Sequence, residues 1–131
     1  MTTVPAPSAH AAIITDLLFW TAASSVLLLG SGRVAGSWGA PEPALVVVCT
    51  AVLVSGVAGM VLRAHLRGST VLRVFGWANL VIAPVLLAIA VLDLLGLTRA
   101  GNAALSTAAG VAALFGVWQV VSGTLTNRRR S

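Results

Sequence analysis

Four side chains have the type and placement to do chemistry inside an apolar medium: Asp16, Asn79, Pro84 and Asp93. A carboxylate within a hydrocarbon layer is a place where a proton and a cationic solute can compete, so a proton-coupled exporter would use Asp16 or Asp93. Asn79 offers both a donor and an acceptor. Pro84 cannot donate to the carbonyl of Leu80, so Asn79 and Pro84 together can open a local polar site within one helix. Each residue also has a structural assignment, which the spacing favours. Asp16 follows Thr15 in the first turns of an apolar segment, where a carboxylate complements the positive helix end and can pair with Arg73 or another nearby arginine. Asp93 falls near the end of its segment, within reach of Arg99 or Arg33. Asn79 suits an interhelical hydrogen bond, and Gln119, Thr21, Ser24, Ser25, Thr50, Ser106 and Thr107 can bond a backbone carbonyl or a neighbouring helix.

Other chemistries lack their residues. Cys49 is the single cysteine, which excludes an intrachain disulfide, a Cys-x-x-Cys pair and a thiolate metal site. His10 and His65 lie at segment edges, so no mid-helix pair can hold a haem. There is no phosphate-binding loop, no Ser/His/Asp set and no pair of adjacent carboxylates. No catalytic residue, cofactor or metal is therefore expected, and the chain is not expected to be an enzyme.

The elements that must position these side chains follow from composition. Of 131 residues, 58% are hydrophobic and 8% charged, too few charges for the surface of a soluble domain and too many apolar groups for a small core. Spanning a hydrocarbon layer takes about 20 apolar residues per helix. Four such stretches occur, at residues 11–29, 44–62, 74–95 and 103–125. Their continuous apolar character, without alternation, excludes a β-barrel. The expected fold is all-α: an integral membrane four-helix bundle in up-down-up-down order, forming one membrane domain over residues 1–131. Glycines and prolines punctuate residues 30–43, Gly68 can end the second helix with Ser69 or Thr70 capping the third, and short connections make sequence-adjacent helices antiparallel neighbours.

Eight bases oppose three acids, for a net charge of +5. Arg63, Arg67, Arg73, Arg128, Arg129 and Arg130 fall on the side shared by both termini, whereas Arg33 and Arg99 fall on the other. Basic residues of short loops stay in the cytoplasm, so the expectation is a multi-pass cell-membrane protein with both termini cytoplasmic and its first apolar segment retained. The arginines would attract anionic lipid headgroups, at about 1 kcal/mol each near the surface. They form a juxtamembrane loop and a terminal triplet rather than a patch on a folded domain, which argues against nucleic-acid binding. Trp20, Trp77, Trp118 and Trp38 suit packing and interface anchoring.

An offset of 57 residues lays the first helix on the third and the second on the fourth, with repeat halves at 12–68 and 69–125. Trp20 then meets Trp77, Gly39 meets Gly96, Thr50-Ala51 meets Thr107-Ala108, and Gly59 meets Gly116. Ala51, Ser55 and Gly59 form a small-residue stripe spaced by four, echoed by Ala108, Ala112 and Gly116. In lipid such faces let backbones approach closely, so these six are the expected helix-packing residues.

Gly76 and Trp77 make a Gly-Trp helix start, Pro84 is a mid-helix proline, and Asn102 introduces a small-residue helix. With these residues the sequence from Arg73 through Gly116 resembles the SPW-repeat membrane proteins of bacteria, mainly over residues 73–117. Ala83-Pro84-Val85 stands where the family has Ser-Pro-Trp. The resemblance implies architecture, with no activity to carry over.

The chemistry present thus fits a structural or accessory membrane protein acting by helix–helix association, with itself or with a larger membrane protein. The alternative is a minimal four-helix transporter or channel working as a homodimer, with Asp16, Asn79 or Asp93 lining its path.

Overall fold

A computed structural model describes residues 7–128. The described residues form five helices in the order α1 (Pro7–Leu29), α2 (Ser31–Trp38), α3 (Glu42–His65), α4 (Gly68–Val91) and α5 (Arg99–Arg128). Four of them are long and apolar enough to cross a membrane, over His10–Leu29, Glu42–His65, Gly68–Val91 and Arg99–Leu125. The architecture is an all-α bundle. Long apolar runs become helices because in lipid every backbone amide must find its partner within the segment.

The segment between the first two long helices is not the loop its glycines suggest. Gly30 interrupts α1, and the next eight residues form α2, which buries Ala35 against Leu45 and Cys49 of α3, with Leu27, Leu28, Val34 and Trp38 packed around them. Gly39 ends α2 in a left-handed conformation (φ 68°), its N–H bonding the Ala35 carbonyl, and Pro43 lies in the first turn of α3. The connection from α3 to α4 is also shorter than expected. Leu66 caps α3, Arg67 occupies the position before α4, and Gly68 begins α4 instead of ending α3; neither Ser69 nor Thr70 caps it. The third long helix stops at Val91 rather than Leu95, because Asp93 (φ 48°) and Gly96 (φ 60°) turn the backbone left-handed. α5 begins at Arg99, placing Asn102 inside the helix. Gly39 and Gly96, which the 57-residue offset aligns, are thus the two left-handed glycines, and each lies three residues before the start of a long helix.

Two antiparallel pairs make up the bundle. In the first, Thr21 of α1 faces Gly56 of α3 and Leu17 faces Gly59. In the second and more extensive pair, Gly76 of α4 faces Gln119 and Val120 of α5, Leu80 faces Gly116, and Leu72 faces Gly123. α1 joins the pairs, packing mainly along α5 and also burying Val71 and Leu72 of α4 with its Ala12, Ile13 and Leu17, Phe75 lying against them. As a result α3 and α4, although adjacent in sequence, make little contact with one another. At the opposite end Thr98 locks the pairs together: its N–H bonds the Trp38 carbonyl (2.9 Å), and its hydroxyl donates to the Ser37 carbonyl (2.7 Å).

Candidate functional site

On α1 the residues facing the bundle are Ala12, Ile13, Asp16, Leu17 and Ser24, a helical stripe with Asp16 at its centre. On α4 the inward stripe runs Leu72, Gly76, Asn79, Ala83, and on α5 it runs Ala109, Ala112, Gly116, Gln119, Gly123. Each amide side chain stands three residues after a glycine on its own face. The glycines bring α4 and α5 close enough for the amides to meet, and α1 delivers a carboxylate between them.

The three side chains form a closed hydrogen-bonded triangle. Asn79 Nδ2 donates to Asp16 Oδ2 at 2.9 Å and to Gln119 Oε1 at 3.2 Å, and Gln119 Nε2 donates to the same Asp16 oxygen. Asp16 is 2% exposed and Gln119 fully enclosed. Asn79 lies at the middle of α4, 11 residues from Gly68 and 12 from Val91, whereas Asp16 is six residues from the start of the apolar span of α1 and Gln119 six from the end of that of α5. The second carboxylate oxygen, Asp16 Oδ1, is buried without a hydrogen-bond partner.

This corrects the expected arginine partner of Asp16, while its depth, six residues into the apolar span of α1, agrees with the count along the sequence. The side chain is nonetheless buried and level with the centre of α4. Its partners are two neutral amides, and Arg73 is exposed. Gln119 was legible only as generic interhelical glue, although its position one turn past Gly116 on the small-residue face marks it as buried.

The other candidates do not join the triangle. Pro84 is exposed, five residues beyond Asn79 and so turned well away from it around α4. Asp93 lies beyond the end of α4, whose last residue, Val91, is 12 residues and about 18 Å past Asn79 along the helix axis. There it accepts a 2.9 Å bond from Asn102 Nδ2 rather than pairing with Arg99 or Arg33. Among the small residues, Gly59, Ala112 and Gly116 are buried in helix contacts and Ala108 is half-buried, whereas Ala51 and Ser55 face outward. The inner face of α3 is carried instead by Leu45, Cys49, Gly56 and Gly59. Arg63, Arg67, Arg73 and Arg128 lie toward the end where α1 begins, α3 passes into α4 and α5 finishes. Arg63 there donates to the His10 ring. Arg129 and Arg130 lie outside the described residues.

Between α1 and α5, Phe19, Val111, Leu114, Phe115 and Trp118 line an apolar groove of about 230 Å³. Its rings pack in sequence, Phe19 on Phe115 at 5.8 Å and Phe115 on Trp118 at 6.4 Å. The triangle can tie three helices together or bind a small cationic species at Oδ1. No family model, curated protein or solved structure matches the chain.

Proposed function

We propose that this chain is a structural or accessory membrane protein that acts by helix–helix association, with the outward face of α3 as its contact surface and a second copy as the occupant. The observation that carries this reading is the placement of Ala51, Ser55 and Ala58, which are exposed at mid-span on α3 while its other face packs on α1. Small residues there let another helix approach closely, and a hydroxyl facing hydrocarbon gains a partner in doing so. A Ser55→Cys variant with Cys49→Ser should give disulfide-linked dimers in vesicles at low protein density, and adding Ala51→Leu should reduce them at least about tenfold. Monomers throughout would sink the reading.

The same proposal includes an orientation with both termini in the cytoplasm of a bacterial cell, supported by the arginines gathered at one end of the bundle. A C-terminal reporter active only in the periplasm should therefore stay silent. The resemblance to SPW-repeat proteins belongs to this reading too, and rests on the sequence positions Gly76, Trp77, Pro84 and Asn102.

A second reading, a minimal transporter working as a homodimer, is favoured by the convergence of Asp16 and Asn79 inside the bundle. Direct hydrogen bonds among the three side chains, and the remote position of Asp93, weigh for the packing role. Solute or ion flux in proteoliposomes that Asp16→Asn abolishes would reverse the order.

A further inference from the structure

We propose that Asp16 is a proton-binding site of the bundle, with Oδ1 as the atom that takes up the proton while Asn79 and Gln119 hold Oδ2. The proposal stands independently of what docks on α3. Asp16 is 2% exposed, both amide donors converge on one of its oxygens, and the other oxygen is enclosed and makes no hydrogen bond of its own, with the neutral Trp20 indole N–H, one turn further along α1, as the remaining donor close to the carboxylate. A carboxylate in a water-poor interior is tolerated when a cation pairs with it or when hydrogen bonds satisfy all its lone pairs. Here the partners are neutral and one oxygen is left over, so a single positive charge is missing at a defined atom.

The ionisable groups on the packed elements lie elsewhere. On α1, His10 is six residues before Asp16, about 9 Å along the axis, and is engaged by Arg63 of α3, with His65 of α3 exposed beyond. Cys49 of α3 packs against Leu27 and Leu28, three turns further along α1, and Arg33 of α2 is exposed past that. Arg73 of α4 is exposed six residues before Asn79, about 9 Å away along its helix, and Arg128 of α5 is nine residues past Gln119, about 14 Å.

A proton from bulk water bonds to Oδ1 and converts the carboxylate to a carboxylic acid. No other bond changes. Oδ2 keeps both amide donors, so the proton binds without the three helices separating. A metal cation suits the site less well, since it needs several oxygen ligands and here the carboxylate meets N–H groups. Among the described residues no group of three His, Cys, Asp or Glu could hold a metal.

The test uses the full chain in lipid vesicles, read by infrared difference spectroscopy and by proton uptake. As the pH is lowered, a protonated-carboxyl C=O band should appear in the parent, persist in Asp93→Asn and vanish in Asp16→Asn, with about one proton fewer taken up per chain. Asp16→Asn keeps the shape and an acceptor for both amides. If it nonetheless fails to assemble, Asn79→Ser decides, because loss of a bond to Oδ2 should shift the band frequency. Equal uptake and an unchanged band in Asp16→Asn would overturn the proposal, as would an unmoved band in Asn79→Ser. So would a band that sodium ions abolish at fixed pH, which would assign Oδ1 to a metal cation.

Discussion

Gly116→Leu should separate α4 from α5 and cost about 3 kcal/mol or more of bundle stability, measured by reversible unfolding in bicelles. A Cβ at this position would sit 2.8 Å from Leu80 Cγ and 3.0 Å from the carbonyl oxygen of Gly76. The leucine side chain of α4 can rotate away, but the Gly76 carbonyl is backbone and moves only if the helix moves. In lipid there is little hydrophobic force between helices to compensate for a lost fit, so close packing carries the association. The α4–α5 contact is also the most extensive in the chain, and Gln119 reaches Asp16 only while it persists. Gly110 supplies the control on the same helix: it is exposed, and a Cβ there meets nothing within 4 Å. Gly110→Leu should change stability by about 0.5 kcal/mol or less. If the two variants unfolded together, the glycine contacts would not be what holds α4 to α5.

The four long helices were legible because an uninterrupted apolar run in lipid has one backbone solution. Helix α2 was not, since Gly30, Gly32, Gly36 and Gly39 within ten residues read as a flexible connection. Only Gly39 takes a left-handed conformation, and the rest of the segment is held helical by burying Ala35 on Leu45 and Cys49. Which helices touch was also hidden. Connection length suggests that α3 and α4 are close neighbours, whereas it is α1 that bridges to the second pair, mainly along α5 and also through Ile13 and Leu17 on Val71 and Leu72 of α4.

The site was legible in its parts and not in its assembly. Asp16 and Asn79 stood out because polar side chains are costly in hydrocarbon, but nothing in a linear count shows that a residue near the start of one helix is level with the middle of another. The small-residue stripes showed the same limit. On α5 the spacing from Ala112 to Gly116 continues to Gln119 and Gly123 on the buried face, so extending it by one turn would have found the third member of the triangle. On α3 an equally regular stripe, Ala51 to Ser55, faces outward, because periodicity identifies a face without saying which neighbour covers it.

Gln119→Leu should destabilise the bundle by about 2 kcal/mol, since it removes two of the triangle's three hydrogen bonds and leaves Asp16 and Asn79 facing a hydrocarbon side chain. Gln119 is fully enclosed, so water cannot reach the vacated positions without the helices parting. The loss should depend on what remains. Asp16→Asn retains an oxygen toward both amides and should cost less than about 1 kcal/mol, whereas the triple variant Asp16→Leu, Asn79→Leu, Gln119→Leu should recover most of the stability lost by Gln119→Leu alone. Replacing every polar member removes the desolvation cost that a partly broken network leaves behind. A double-mutant cycle between Asn79 and Gln119 should show coupling of at least about 0.5 kcal/mol. Independent, additive losses would mean that the amides act separately. A triple variant as unstable as the single one would locate the effect in side-chain shape, with no role for the hydrogen bonds converging on Asp16.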